Sequence, residues 1–326
     1  MNFDELGIVV VGRNEGQRLI DCLNSLKPHT DRTVYVDSGS SDGSASAAQR
    51  AGFLVVQLDP SQAFTAARAR NEGFARLIAA KPDIQFVQFI DGDCELVPTR
   101  LEVALLFPKS RNDVAVVCGR RRERYPEESI YNHLCDMEWN TPIGEALACG
   151  GDALIRVDAF REVNGFRSSL IAGEEPELCA RLRERGWKVW RLDAEMTRHD
   201  AAMTRFHQWW RRAVRSGYAE AESARLHLSS GDMAREKRAV ASAVVWAGLL
   251  PIIILIASLL NSAFLALAFV YVVQLVRIAV RKGATAPESW AYAAFVMIAK
   301  FAELQGIARY IWNFLLGKTA RTIEYK

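Results

Sequence analysis

The sequence predicts an α/β domain with a mostly parallel sheet flanked by helices, followed by a helical membrane region. Short apolar runs alternate with helical patterns through the first hundred residues, which predicts repeated strand and helix units. Residues 240–280 are almost continuously apolar, which predicts insertion into a membrane. The 326 residues are enough for about two domains, and 24% charged residues exclude a disordered or fibrous chain. A net charge of only +3 argues against a nucleic-acid partner.

Four strands and three helices are predicted in the first hundred residues. The strands are predicted at residues 6–11, 33–36, 53–58 and 84–90. The helices are predicted at residues 19–26, 44–51 and 66–80. Ligands of parallel sheets bind beyond the carboxyl ends of the strands, so one crevice should collect the polar residues found there. These residues are Asn14, Glu15, Asp37, Asp91 and Asp93.

Beyond residue 100 the pattern is looser. Strands are predicted at residues 114–118 and 153–155, with a basic run at 120–124 and an irregular stretch up to Gly150-Gly151 between them. A short helix is predicted near residues 160–166. Another helix should begin in the segment Gly173-Glu174-Glu175-Pro176-Glu177, which has a proline near its first turn, and should end at Gly186.

Two features predict that the N-terminal part stays in the cytoplasm. The first five residues contain no basic segment and lead directly into a strand pattern, unlike a cleaved signal peptide. The six cysteines contain no C-x-x-C pair, so we expect reduced thiols in the core of an intracellular domain rather than a zinc site.

The apolar segment is predicted to form a transmembrane helical hairpin over residues 240–260 and 263–280. A single helix over 240–280 would be about 60 Å long, twice the thickness of a bilayer core of about 30 Å. We therefore expect a break at Asn261-Ser262. Basic residues flank both ends, so the positive-inside rule places both ends in the cytoplasm. The alternative is a pair of buried helices in a soluble domain.

The last apolar stretch, residues 288–317, is interrupted by Lys300, Glu303 and Arg309. It also contains tryptophans and tyrosines, which favour the membrane interface. We expect one or two interfacial helices here, and a third full span is the alternative.

The segment Asp91-Gly92-Asp93 places two carboxylates at the end of a predicted buried strand. Two such anions repel each other unless a cation joins them, and hard oxygen ligands suit Mg²⁺ or Mn²⁺. A metal ion held there would neutralise a diphosphate. The same three residues also occur in ordinary surface turns.

Six motifs in order resemble those of the family 2 glycosyltransferases with a GT-A (Rossmann-like) fold, and they cover residues 6–215. Together they are strong evidence, although each alone is weak. The motifs are Val11-Gly12-Arg13-Asn14-Glu15, Val36-Asp37-Ser38-Gly39-Ser40-Ser41-Asp42-Gly43, Ala69-Arg70-Asn71-Glu72-Gly73, Asp91-Gly92-Asp93, Gly173-Glu174-Glu175-Pro176-Glu177-Leu178 and Gln208-Trp209-Trp210-Arg211-Arg212.

The resemblance implies a donor site and a metal site. Asp37 would hold the nucleotide base in a pocket shaped by Asn14 and Glu15, with Arg70 near the phosphates. The alternative for Asp37 is an ordinary turn that caps the next helix. Asp91 and Asp93 would be the metal-binding DXD pair, and Asp91 would also face the donor. His199 stands where several relatives have a further metal ligand, and the alternative is a structural histidine.

The resemblance also implies a catalytic base at Glu175, where the family has an aspartate. Glu174 and Glu177 lie within one turn of it, so any of the three could instead complement the helix dipole. Gln208 and Arg211 match a family element that grips the donor phosphates or the acceptor. Here Arg212 replaces its tryptophan, and the alternative is an amphipathic helix lying on the membrane.

These features predict an inverting, metal-dependent hexosyltransferase anchored in the plasma membrane, with its catalytic domain in the cytoplasm. Residues 1–230 would form that domain, divided into a nucleotide-binding half (1–100) and an acceptor half (101–230), and residues 231–326 the membrane region. A sugar would pass from a UDP- or GDP-sugar to a lipid-linked or membrane-proximal saccharide in cell-envelope or exopolysaccharide synthesis. A homo-oligomer is one expected assembly. The alternatives are a polyprenyl-phosphate sugar synthase and a non-catalytic nucleotide-sugar-binding scaffold.

Overall fold

The computed structural model describes residues 4–226 and 234–317. Its contacts divide the chain into two compact units, which part between Thr204 and Arg205. The predicted boundary between residues 230 and 231 lies outside the described residues. Residues 206–226 group with the C-terminal helices, whereas the sequence predicts them as the end of the N-terminal domain.

Strands alternate with helices in the first unit, as predicted. The strands are β1 Leu6–Gly12, β2 Thr33–Asp37, β3 Leu54–Gln57, β4 Phe86–Asp91, β5 Cys94–Leu96, β6 Val114–Glu123, β7 Gly144–Ala146, β8 Ala153–Arg156 and β9 Lys188–His199. The helices are α1 Gln17–Ser25, α2 Ser44–Arg50, α3 Ala66–Ala80, α4 Pro98–Ser110, α5 Ile130–Trp139, α6 Val157–Glu162 and α7 Glu174–Glu184, with a 3-10 turn at Lys27–Arg32.

The strands form one sheet within the described residues, in the order β3-β2-β1-β4-β8-β6-β9-β5, with β7 paired to β9. The pairs β3-β2, β2-β1 and β1-β4 are parallel, as predicted. The other half is mixed, because β8 runs antiparallel to both β4 and β6. Apolar side chains alternate between the two faces, so that Val9 and Val36 join one core and Val10 and Tyr35 the other.

The structure differs from the prediction in two places before Gly150-Gly151: the strand predicted at 114–118 continues through the basic run, and a helix lies within the predicted irregular stretch. The basic run is strand, since β6 continues to Glu123, and its arginines pair with acidic side chains, Arg120 with Asp193 and Arg122 with Asp136. Helix α5 follows, and the hydroxyl of Ser129 caps it by accepting a hydrogen bond from the amide of Asn132 at 3.0 Å. The sequence also gave no signal for α4, β5, β7 and β9.

The strand register confirms that the predicted polar residues meet at one edge of the sheet. Gly12 at the end of β1 pairs with Asp37 at the end of β2, and Val11 pairs with Asp91 at the end of β4. Gly92 follows directly. A Cβ atom there would lie 3.2 Å from the carbonyl oxygen of Val11, so a glycine permits this close approach.

The second unit is helical. Its helices are α8 Phe206–Leu226, α9 Ala234–Ala243, α10 Leu250–Leu260, α11 Phe269–Lys282 and α12 Pro287–Leu315, with a π-helical segment at Val244–Leu249 and a 3-10 segment at Ser262–Ala268. Three stretches are long and apolar enough to cross a membrane: Arg235–Leu260, Ser262–Lys282 and Pro287–Leu315.

The predicted break at Asn261-Ser262 is confirmed. Asn261 has an extended backbone, and its side-chain oxygen accepts a hydrogen bond from the amide of Ala263 at 2.9 Å. The last stretch is one continuous helix, α12, and by length and composition it matches the alternative of a third span as well.

Candidate active site

The carboxylate of Asp37 organises the turn that follows β2. One carboxylate oxygen of Asp37 accepts a hydrogen bond from the hydroxyl of Tyr35 at 2.9 Å. The other accepts from the amides of Gly39 at 3.1 Å and Ser40 at 2.9 Å. Asp37 is only 3% exposed. These contacts support the turn of the alternative but not its helix cap, because α2 begins only at Ser44, whose amide donates to Asp42 instead.

Asn14 and Asp42 tie the first loop to the second. Asn14 has a positive φ of 55°, and its side-chain oxygen accepts a hydrogen bond from the amide of Ser41 at 2.8 Å. Asp42 accepts one from the amide of Gly16 at 2.9 Å. Glu15 forms an ion pair with Arg18 at 2.7 Å, in the first turn of α1. The hydrogen bonds of Asn14 and Asp42 therefore join the loop after β1 to the loop after β2.

Arg70, on α3, lies at the centre of the candidate site. Its guanidinium is 2.7 Å from Asp91, 2.6 Å from Glu174 and 3.1 Å from Glu175. The arginine side chain is 3% exposed. The expectation that it binds donor phosphates remains a prediction, and the structure shows it holding three carboxylates together.

Asp91 lies between two arginines. Besides Arg70 it contacts Arg121 of β6 at 3.4 Å, and Arg121 also pairs with the buried Asp152, which directly precedes β8. Gly151 packs directly over this cluster: a Cβ atom there would lie 2.5 Å from Asp91 Oδ2 and 2.6 Å from Arg70 Nη2. A side chain at position 151 would therefore fit only if Asp91 and Arg70 moved.

Glu175 begins α7 together with Glu174. Burial raises the pKa of Glu175 to about 7, and the nearby charge of Glu174 adds to the effect, while Arg70 opposes it. A carboxylate with a pKa near neutrality is suited to accept a proton. Glu177, by contrast, is held in ion pairs with Arg167 at 3.0 Å and Arg181 at 2.6 Å. Burial raises the pKa of Glu177, but these arginines hold it below its usual range.

Asp93 and His199 are brought together as the resemblance implies. His199 Nε2 lies 3.3 Å from Asp93 Oδ2, and the ligand atoms of Asp93, Cys94 and His199 all lie within 4.8 Å of one another. Burial lowers the pKa of His199, against the opposite effect of a hydrogen bond with Glu123, and this favours the neutral imidazole that binds metals. Carboxylate and imidazole together fit Mn²⁺ or another divalent ion.

Gln208 and Arg211 belong to the second unit, on α8. The Gln208 side chain accepts a hydrogen bond from the amide of Arg205 at 3.0 Å, and Arg211 is exposed. Trp209 packs edge-to-face against Phe295, with ring centroids 4.9 Å apart. A role for Gln208 and Arg211 in donor binding remains a prediction.

Sequence reasoning missed four residues of the site: Cys94, Arg121, Glu123 and Asp152. All six cysteines are free thiols, as predicted, but Cys94 also contacts Asp93, with Sγ 3.6 Å from Oδ1. Two sequence signals could have found the others. The basic run contains Arg121 and Glu123, and the Gly150-Gly151 pair precedes Asp152.

Comparisons with known proteins identify the family that the first unit resembles. Residues 7–163 match the family model described as Glycosyl transferase family 2. The chain is 23% identical over 212 residues to the O-antigen chain rhamnosyltransferase RfbN of Salmonella typhimurium, covering 60% of this chain and 66% of the relative. It is 28% identical over 211 residues to the succinoglycan biosynthesis protein ExoA of Rhizobium meliloti, covering 59% of this chain and 64% of the relative. Both matches thus span less than two thirds of the relatives' length.

A solved structure has a similar fold. It is the mannosyltransferase PcManGT from Pyrobaculum calidifontis in complex with GDP-Man and Mn²⁺, with a TM-score of 0.59 and 16% identity. The match covers 95% of this chain and 87% of that one. Residues 7–163 are therefore a glycosyl transferase family 2 domain, built on a sheet of the GT-A type.

Proposed function

We propose that the protein is an inverting glycosyltransferase that moves a sugar from a nucleotide donor to a hydroxyl group of a lipid-linked or membrane-proximal saccharide. One observation carries the proposal. Arg70 joins Asp91, which belongs to the predicted donor side, to Glu175, which is the candidate base. Donor and acceptor groups of one reaction must lie this close together.

Glu175 supplies the chemistry on the acceptor side. The acceptor hydroxyl loses its proton to the Glu175 carboxylate while its oxygen attacks the anomeric carbon. The bond between that carbon and the nucleoside diphosphate breaks on the opposite face, so the anomeric configuration inverts. A base with a pKa of about 7 is largely ionised at physiological pH and still holds a proton well in the transition state.

Arg70 has a positioning role in this scheme. It orients the Glu175 carboxylate and offsets the repulsion between Glu175, Glu174 and Asp91. Asp93 and His199 would hold the divalent ion, Mn²⁺ or Mg²⁺, which neutralises the diphosphate when bound. Asp91 pairs with two arginines, so we assign it to organising the site beside the ion.

The comparisons support the class of substrate. The names of the two curated relatives point to O-antigen and succinoglycan synthesis, and that of the fold neighbour to GDP-mannose and Mn²⁺. We therefore propose a UDP- or GDP-sugar donor, and cell-envelope or exopolysaccharide synthesis as the process. The apolar C-terminal helices support anchoring in the plasma membrane, with the catalytic unit on the cytoplasmic side where nucleotide sugars occur.

Thermal unfolding with a panel of nucleotide sugars, with and without Mn²⁺, identifies the donor, because a bound ligand stabilises the folded state. Hydrolysis of that donor should depend on Asp93 and be lost in Asp93→Ala. The configuration of the product then tests inversion. Stabilisation by a donor without any turnover would favour the scaffold alternative, and transfer to polyprenyl phosphate alone would favour the lipid-sugar synthase.

A further inference from the structure

His199 lies between two carboxylates. Its Nε2 atom is 3.3 Å from Asp93 Oδ2, and its Nδ1 atom is 3.5 Å from Glu123 Oε2. A neutral imidazole carries one proton, so it can donate to only one of these oxygens. The other nitrogen and its carboxylate then face each other as two acceptors. A divalent ion bound between them would relieve their repulsion.

The sheet places these residues in register. His199 on β9 pairs with Glu123 on β6 and, on its other side, with Cys94 on β5. Residues directly opposite each other in neighbouring strands have their side chains on the same face of the sheet. The alignment of Glu123 with His199 is therefore built into the strand pairing.

Glu123 is fixed independently of His199. Its carboxylate accepts hydrogen bonds from two backbone amides, those of Ala201 at 3.1 Å and Tyr125 at 3.3 Å. The side chain is 0% exposed. Asp93, beside His199 Nε2, belongs to the cluster of potential metal ligands. Glu123 lies beside His199 Nδ1 and is not part of that cluster. Trp139 packs against the imidazole in an edge-to-face arrangement, with ring centroids 4.8 Å apart, and restrains the plane of the imidazole further.

We propose that Glu123 is the positioning residue of the metal site. It accepts the Nδ1 proton of His199 and so directs the Nε2 lone pair toward the divalent ion beside Asp93. The inference rests on the proposed function, because it assumes that Asp93 and His199 hold that ion. Carboxylates that orient a ligating histidine in this way are a recurrent feature of metal sites, and their loss typically weakens metal binding about 10- to 100-fold.

The first test measures the affinity of the full-length protein in detergent for Mn²⁺ alone, from the electron paramagnetic resonance signal of the free ion. Glu123→Gln should weaken binding about 10- to 100-fold. In a His199→Ala background the same substitution should change the affinity by no more than about twofold, since the residue through which Glu123 acts is gone. An equal loss in both backgrounds would show a purely structural role and overturn the proposal.

The second test reads the tautomer directly. Nitrogen-15 spectra of the histidines in the metal-free protein, with the His199 signal identified from a His199→Gln sample, should show the proton on Nδ1. Glu123→Asp, which shortens the carboxylate and serves if Glu123→Gln does not fold, should shift that proton toward Nε2. An unchanged tautomer in a folded variant contradicts the proposal.

The outcomes separate this inference from the proposed function. Equal Mn²⁺ affinity of the wild type and the Glu123→Gln variant overturns only the role of Glu123. Wild-type protein that binds no Mn²⁺ and transfers sugar in excess EDTA overturns the metal site and the inference with it, but leaves the glycosyltransferase proposal standing.

Discussion

Arg70 Nη2 lies 3.1 Å from Glu175 Oε1, although the two residues come from helices far apart in the chain, α3 and α7. The same nitrogen lies 2.7 Å from Asp91 at the end of β4. One buried cation therefore couples the geometry of the strand end to that of the candidate base. Removing a partner from such a buried network leaves uncompensated charge, which is strongly destabilising.

Glu175→Gln should lower sugar transfer about 10²- to 10⁴-fold, because an amide keeps the shape of the side chain but cannot accept the proton. Donor and Mn²⁺ affinities should stay within about twofold of wild type, since the substitution removes no ligand of either. Initial rates and donor titrations on the same protein measure both. A drop in transfer of less than tenfold would show that Glu175 is not the base, and Glu174 would then be the next candidate.

The pH profile of transfer should follow the ionisation of Glu175. Its pKa is raised to about 7, so activity should rise with pH, reach half its maximum near pH 7 and fall about tenfold per pH unit below that. The raised pKa also means that the folded protein binds more protons than the unfolded chain between about pH 4.5 and 7. The contribution of Glu175 to the free energy of unfolding therefore decreases as the pH rises from about 4.5 to 7.

Thermal unfolding at pH 5 and pH 8 checks the second half of this prediction. Wild type should lose more stability between the two values than Glu175→Gln, which cannot titrate. A flat rate profile from pH 5.5 to pH 8 would show that proton removal by Glu175 does not limit the reaction.

Gly150 and Gly151 offer a matched pair of substitutions. An alanine Cβ at position 151 would lie 2.5 Å from Asp91 Oδ2, whereas at position 150 its nearest neighbour is Asp152 Oδ1 at an ordinary 3.5 Å. Gly151→Ala should displace Asp91 and Arg70 and lower transfer by about 10²-fold, as small misplacements in active sites do. Gly150→Ala should remain close to wild type. Equal rates for the two variants would show that the contact between Asp91 and Arg70 does not matter for transfer.

Local patterns were enough to predict the first half of the sheet. In β1 to β4 each apolar run is followed by a turn or helix signal, and polar residues stand at the strand ends. The second half depends on distant contacts. In the sequence, residues 120–124 are recognisable only as a basic run, yet the pairing of β6 with β9 aligns Glu123 with His199. Arg120 and Arg121 in the same strand pair with Asp193 and Asp152.

Similarly, the sequence could not show which carboxylates surround the guanidinium of Arg70. The family resemblance implies that Arg70 lies near the phosphates. Its actual partners lie on α7 and β4. These partners are too far from Arg70 in the sequence for any fixed residue spacing to identify them.

Asp93→Asn should weaken Mn²⁺ binding and transfer more than Asp91→Asn does. Asp93 faces His199, whereas two arginines already compensate Asp91. Mn²⁺ titration of both variants makes the comparison. Excess EDTA should abolish wild-type transfer, and added Mn²⁺ should restore it. Full activity in EDTA would contradict metal dependence.

The last prediction concerns the placement of α12, and it rests on how α8 covers that helix. Gly217 of α8 and Gly306 of α12 allow the two backbones to touch, because a Cβ on Gly217 would lie 2.1 Å from the carbonyl oxygen of Glu303. Trp210 donates a hydrogen bond to the side chain of Gln305 at 2.8 Å, and Tyr218 packs edge-to-face on Tyr310. The two helices therefore pack together over most of the length of α8.

Because the exposed surface of α8 includes Arg211 and Arg225, this pair of helices cannot lie in the hydrocarbon core without a large cost. We therefore expect α12 at the cytoplasmic membrane surface, and only the hairpin of residues 235–282 across the bilayer. Single cysteines at Ser262 and Gly317, each in a background lacking the native cysteines, test this in spheroplasts with a membrane-impermeant maleimide. Labelling at position 262 from outside, with position 317 labelled only after lysis, is the expected result. If position 317 is labelled from outside while the catalytic unit is protected, α12 crosses the membrane, and α8 must then separate from it.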